Sequence, residues 1–227
     1  MNNSWKDYNE KLLKNSLELL SQNTKEIFNI EEKRCYPHIR DILALVIATT
    51  KGESLKIYDY GSNTMPWANI QNKIDTKKID VVVYDPFAEK DYAKDLNFGF
   101  PLKIINKVNF SYISKCDLLI FGSSSQYIEN FYELFFKKDF ILPKKILFTD
   151  TPFSLNKNHG KDLKVPQLDK SNRAFTVYIR NFFKMDSMLE QIGFKIVFKS
   201  ALPWVTQDYL SDELSSEIKM VNILYES

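Results

Sequence analysis

Two spacings of apolar residues alternate along this chain. Over residues 5–21, Trp5, Tyr8, Leu12, Leu19 and Leu20 fall at helical intervals, and Ser4 stands where an N-cap belongs. Over 38–49, Ile39, Ile42, Val46 and Ile47 share one helical face. Two helices are therefore expected before the first strand, packed on a sheet edge or forming a lid or dimer face. Short apolar runs then take over. "SLKIYDY", "IDVVVYD", "PLKII", "CDLLIFG", "KKILFTD", "FKIVFKS" and "EIKMVNILYE" read as strands. Several are almost continuously apolar, as strands are when both faces of a sheet are covered.

The intervening segments read as helices. "MPWANIQNKI" carries Pro66 near its first turn, and "YAKDL" is short. "SSSQYIENFYELFFKK" has serine caps, with Ile128, Phe131 and Phe135 facing inward. "FTVYIRNFFKMDSMLEQI" ends at Gly193, a good residue to follow a helix. Residues 150–174 read as a polar connection. Strand alternating with helix predicts an α/β fold with a mainly parallel sheet. The expected division is a helical extension over 1–51 and one domain over 52–227. Ligands of such sheets bind beyond the carboxyl ends of the strands, so the residues just after each strand carry the functional argument.

Composition narrows the classes. The chain has 227 residues and a net charge of +2, without the basic excess of a nucleic-acid binder. Its two cysteines, Cys35 and Cys116, suit a reducing compartment better than a disulfide scaffold. With only two histidines beside them, the usual zinc spacings are excluded. "MNNSWKDYNEKLLKN" lacks an apolar signal core, and "ILALVIA" at 42–48 is too short to span a bilayer. The expectation is a cytoplasmic protein without nucleic-acid or membrane partners.

The loop after the first strand reads "DYGSN". Gly61 reaches positive φ freely, and Asn63 is the next best residue there. The spacing is not that of the dinucleotide fingerprint, which counts against NAD or FAD. An ordinary strand-to-helix turn is the plainer reading. Asp85 ends the second strand about 24 residues beyond Gly61. Its carboxylate can accept two hydrogen bonds from a ribose diol, or it can cap the next helix.

"KIYDYGSN", "VVVYDP", "CDLLIFGSSSQYIEN", "KKILFTDTPF" and "MLEQIGFKIVFKS" follow the order and spacing of class I S-adenosylmethionine-dependent methyltransferases. "SSSQY", "DTPF" and "KVPQ" followed by "AFTVYIRNFF" resemble a methyltransferase-like family associated with bacterial surface-polysaccharide gene clusters. The resemblance covers about residues 52–200. Gly61-Ser62 stands where members carry a Gly-Gly pair, and Asp150 where they carry arginine.

The resemblance implies a Rossmann-like sheet, mostly parallel with an antiparallel last strand, and S-adenosylmethionine as cofactor. Gly61, Ser62 and Asn63 would contact its amino-acid part, and Asp59 would bind its ammonium through water or orient the loop. Asp85 would hold the ribose, with Pro86 and Phe87 near the adenine and Asn109 flanking the base. Ser123 and Ser124 would face the sulfonium or cap a helix.

The implied acceptor is a sugar hydroxyl, or a phosphorylated, phosphoramidate or nucleotide-activated precursor of a surface polysaccharide. A hydroxyl benefits from a general base. His159 in "NKNHGKD" and Asp150 are the candidates, each with a plainer reading as a loop residue or a turn cap. Gln126 and Tyr127 can hydrogen-bond an acceptor. Lys157, Lys161, Lys164, Arg173 and Arg180 could receive phosphate, although a solvated lysine face is the commoner explanation of the lysines. Two other functions fit the same residues: an inactive methyltransferase-like interaction domain, and a nucleotide-sugar transferase.

Overall fold

Ser54–Tyr60 forms the first strand, β1, and Lys78–Tyr84 the second, β2. They run parallel in a register that sets Ile57 beside Val81 and Tyr60 beside Tyr84. Leu102–Ile105, β3, lies parallel on the far side of β2. Leu55, Ile57, Tyr58 and Tyr60 of β1 are buried, as are Ile79 and Val81–Val83 of β2. Burial of nearly every position is what parallel strands covered on both faces require. This is a computed structural model, and it describes residues 37–61, 67, 70, 78–86, 88, 98–136, 141–157, 160–168, 174–202 and 217–227.

The chain divides into two units, split after Leu118. In the first, helix α1 (Pro37–Thr49) precedes β1 and buries Leu43, Val46 and Ile47. The hydroxyls of Thr49 and Thr50 close its last turn by donating to the carbonyls of Leu45 (2.7 Å) and Val46 (2.6 Å). The helix expected over 38–49 is therefore present, whereas the one expected over 5–21 lies outside the described residues. Of "MPWANIQNKI", Trp67 and Ile70 are described, and both are helical and buried. "YAKDL" falls outside. A short helix, α2 (Phe110–Ile113), leads to β4 (Leu118–Gly122).

In the second unit the strand order runs β4, β5 (Lys145–Ser154), β7 (Ala174–Asn181), β6 (Leu163–Leu168). β9 (Ile218–Glu226) pairs antiparallel with β5, and β8 (Lys195–Ala201) pairs antiparallel with β9. The sheet is mixed, mainly parallel in its first part, with antiparallel strands toward the C-terminus. Helix α3 (Phe182–Gln191) ends at Gly193, whose φ of 98° is the left-handed conformation expected after a helix. Among the described residues no helix is long and apolar enough to cross a membrane.

Three expectations are corrected. "FTVYIRN" is strand β7, and the helix begins only at Phe182, with the Asn181 side chain accepting from Lys184 N at 3.0 Å. Val177 and Ile179 point into a cluster with Val165 and Ile218, the period-2 burial of a strand. The segment read as a polar connection holds the end of β5 and all of β6, which pairs antiparallel with β7. Pro166 is tolerated there because β6 lies at the edge of the sheet order.

"SSSQYIENFYELFFKK" is not a continuous helix. It forms two 3-10 turns, Ser125–Tyr127 and Phe131–Leu134, separated by extended Ile128. Arg180 donates to the carbonyls of Ser125 and Ile128, drawing them away from helical partners. Phe131 and Phe135 are nonetheless inward, and Phe131 meets Phe121 edge-on at 4.9 Å.

Candidate functional site

In the first unit the candidate residues gather at the carboxyl ends of β1 and β2. Gly61 follows β1 at φ 75°, and its N–H donates to Tyr84 O at 2.7 Å. That bond continues the ladder by one step and brings Gly61 out of the sheet next to Asp85. Asp85 N in turn donates to Ile105 O at 2.9 Å, and Asp85 O accepts from Ala88 N at 3.1 Å. The backbone of Asp85 is thus held by β3 on one side and by its own turn on the other. Its side chain is half-buried, and Pro86 beside it is exposed.

Asp59 sits two residues before Gly61 and is buried. Trp67 Nε1 donates to Asp59 Oδ2 at 2.7 Å, a charge-assisted bond that ties the far end of the loop to the strand that starts it. Trp67 is fully buried, so the anchor is a rigid one. Sequence reasoning missed Trp67, since no local pattern links an indole to a carboxylate eight residues earlier. Ser62, Asn63 and Phe87 lie outside the described residues.

Three phenols line the adjoining strands. Tyr60 and Tyr84 meet edge-on at 4.9 Å. Burial, and then the neighbouring Tyr84, pushes the Tyr60 phenol up to about 12. Burial also raises Tyr58 well above the ordinary phenol range. None of them is a base near neutral pH. Asn109 is exposed and caps α2, its Oδ1 accepting from Ser111 N (3.0 Å) and Tyr112 N (3.3 Å), while its own N–H donates to Tyr58 Oη at 3.4 Å.

In the second unit Ser123, Gln126 and Asp150 come together. Ser123 follows β4 at φ 50° and Asp150 interrupts β5 at φ 47°. These are the two positive-φ non-glycine residues among those described, and such conformations carry strain. They are coupled through the backbone, because Ser123 N donates to Thr149 O at 2.8 Å. At Thr149–Asp150 two residues of β5 oppose Asn222 alone on β9, which makes a β-bulge. Asn222 Oδ1 accepts from Asp150 N at 2.9 Å and holds the bulge. Asn222 is a second residue that sequence reasoning missed, although a buried asparagine inside the apolar run "KMVNILY" was a visible signal.

Gln126 is buried and donates from Nε2 to Ser123 O (2.9 Å) and Ser123 Oγ (3.2 Å). Ser124 is buried, and its side chain makes no capping hydrogen bond. Tyr127 is 52% exposed and so is not a core residue. His159 and Arg173 lie outside the described residues. Arg180 is not a surface phosphate clamp. It is buried beneath Phe131, Tyr132 and Tyr178, and its Nη1 donates to Asp162 Oδ2 at 2.8 Å. Asp162 also accepts from Tyr132 Oη at 2.6 Å and Asn181 N at 3.1 Å, so the pair is locked.

No protein-family model matches the chain, and no curated protein matches it. Solved structures do. An S-adenosylmethionine-dependent methyltransferase from Methanosarcina mazei superposes with a TM-score of 0.52 over 80% of this chain and 96% of its own, at 14% identity. The fold is the Rossmann-like methyltransferase fold. The N-terminal domain of EvdMO1, solved with S-adenosylhomocysteine and D-fucose, gives 0.53 at 10% identity, covering 85% and 84% of the two chains. The [4+2]-cyclase SpnF gives 0.54 at 10% identity, covering 83% and 79%. A cyclase and methyltransferases thus share one architecture, and function has to be argued from the side chains that the Rossmann-like methyltransferase fold carries here.

Proposed function

We propose that the protein transfers a methyl group from S-adenosylmethionine to a small acceptor, either a sugar hydroxyl or a phosphorylated, phosphoramidate or nucleotide-activated precursor of a bacterial surface polysaccharide. The observation that carries the reading is the adjacency of Gly61 and Asp85. A left-handed glycine leaves the first strand beside a carboxylate at the tip of the second, one ladder step apart. Those two residues fit an adenosine ligand. Without a Cβ, Gly61 allows close backbone approach. Asp85, half-buried and fixed in its backbone, accepts the two hydroxyls of a ribose as charge-assisted bonds.

When bound, S-adenosylmethionine supplies an electrophilic sulfonium methyl. The chain's own residues then have to bind, orient and exclude water. Asp59 and Trp67 orient the loop whose Ser62 and Asn63 would meet the amino-acid part. Pro86 and Phe87 would flank the base, with Asn109 beside it. Alignment of the acceptor with the methyl provides most of the rate. A hydroxyl acceptor also gives up a proton, and His159 or Asp150 is the group to take it.

The sugar end of this reading is supported by the "SSSQY", "DTPF" and "KVPQ" resemblance and by the D-fucose present with the EvdMO1 domain. The test is incubation with methyl-labelled S-adenosylmethionine and a panel of free, phosphorylated and nucleotide-linked sugars, read by mass spectrometry. The reading expects one product to gain a single labelled methyl group. Turnover of some member of the panel without methyl gain would favour another chemistry on this fold.

A further inference from the structure

Past the carboxyl end of β5 stands a carboxylate that no cation neutralises. Glu217 immediately precedes β9, which runs antiparallel to β5 with Ile218 opposite Ser154, so Glu217 lies beyond the last paired residue of β5. Its carbonyl accepts from Leu155 N at 2.8 Å, which fixes its backbone to that strand end. Each of its carboxylate oxygens accepts from Asn156 Nδ2 at 2.9 Å. Among the described residues no ion pair reaches it. The nearest lysine in sequence to Asn156, Lys157, instead holds its ammonium 5.2 Å from the centre of the Phe183 ring.

Asn156 is fixed in turn. Asn181 Nδ2 donates to Asn156 O at 2.8 Å, and Asn156 N donates to Ser154 Oγ at 3.3 Å. Asn181 is itself held, its N–H donating to Asp162 Oδ1 at 3.1 Å and its Oδ1 accepting from Lys184 N at 3.0 Å. The ends of β5 and β7 and the start of α3 thus supply one hydrogen-bonded network that terminates on the Glu217 carboxylate. Such a shell holds a side chain in one direction. All of these residues lie in the second unit.

A tie between β5 and β9 asks only for an acceptor, and a neutral glutamine would supply one without the desolvation of a charge. Glu217 and Asn156 are half-buried, and Leu155 and Lys157 on either side of Asn156 are exposed, so the carboxylate borders solvent. A carboxylate offers about four acceptor positions, and Asn156 occupies one on each oxygen, so each oxygen keeps another. Two such oxygens on one carboxylate match the two hydroxyls of a vicinal diol, bound by charge-assisted hydrogen bonds.

We propose that Glu217, oriented by Asn156, binds two neighbouring hydroxyls of the sugar acceptor. The place fits, since ligands of α/β sheets bind beyond the carboxyl ends of the strands. The inference rests on the methyltransferase reading and adds a requirement to it: the acceptor is a sugar that carries an unsubstituted vicinal diol. Glu217 is its anchor rather than its base, because the hydroxyls it holds keep their protons.

The probes are D-glucose, D-galactose, D-mannose and D-fucose, titrated into the full chain. The readout is the side-chain amide resonance of Asn156, whose Nδ2 touches both carboxylate oxygens. At least one sugar should shift that resonance saturably. Glu217→Gln keeps an acceptor for Asn156 and removes the charge. It should weaken that sugar about tenfold or more, the loss expected when hydrogen bonds to a charged group go. The variant should still melt cooperatively and bind S-adenosylhomocysteine as the wild type does, read by calorimetry. Equal sugar affinity in Glu217→Gln, or no sugar moving the Asn156 resonance, would overturn the proposal and leave Glu217 as a tie between β5 and β9. A wild-type chain that binds sugar at Asn156 but not S-adenosylhomocysteine would uphold the subsite and strike the methyltransferase reading.

Discussion

Trp67 and Asp59 illustrate how one contact can set a loop. The indole N–H at 2.7 Å is a bond to a buried carboxylate, of the kind that contributes about 1.5–3 kcal/mol. Trp67→Phe keeps an aromatic ring but removes that proton and part of the indole's buried volume. It should lower the free energy of urea unfolding by at least about that amount, and an unchanged midpoint would mean the bond is idle. Ser123 makes the opposite prediction. Its φ of 50° suits glycine, so Ser123→Gly should stabilise the fold by up to about 1 kcal/mol, and Ser123→Val should destabilise it by more. A loss in the glycine variant would show that the serine hydroxyl, bonded to Gln126, outweighs the strain. At this scale the positions of Gly61 and Asp85 just past β1 and β2 were legible, because the apolar runs mark where those strands stop. Trp67 and Asn222 were not legible as partners, because each acts through a side-chain bond that no spacing encodes.

At the scale of elements, the strands β1 to β5 and β8 and β9 were readable from apolar runs alone. β7 was misread because "FTVYIRNFF" satisfies both periods, and only its neighbours decide. Val177 and Ile179 pack against Val165 and Ile218, and Asn181 supplies the cap that starts α3. Tertiary contact also overrode propensity at residues 125–135, where Arg180 takes the carbonyls a helix would have used. Removing that arginine leaves Asp162 without its buried counter-charge. Arg180→Ala should therefore cost about 3–5 kcal/mol in chemical unfolding. It should also loosen the turn that carries Gln126, seen as faster amide exchange at Tyr127, whose N–H bonds Ser124 O. Protection at Tyr127 that survives in the variant would contradict Arg180 as the support of that turn.

At the scale of the molecule, buried acids that stay neutral make stability depend on pH in one direction. Burial raises the Cys116 thiol from 9.0 to about 12 and the Tyr60 phenol from 10.0 to about 12, and Tyr58 moves the same way. Above about pH 9 the unfolded chain loses these protons while the native chain keeps them, so the unfolded state is favoured. Their contribution is complete below that pH and is lost as pH rises toward the native values. The melting temperature should fall between about pH 8 and about pH 11, and Cys116→Ala should soften the fall; a flat profile would mean these groups are not buried as described.

The central claim is that Asp85 beside Gly61 holds an adenosine ligand. Titration calorimetry of S-adenosylhomocysteine into the wild-type chain and into Asp85→Ala tests it most directly. Saturable binding by the wild type is expected, with the variant weakened about 10- to 100-fold by loss of the bonds to the charged group. Equal dissociation constants in the two proteins, or no binding by a wild-type chain that is folded, would contradict it.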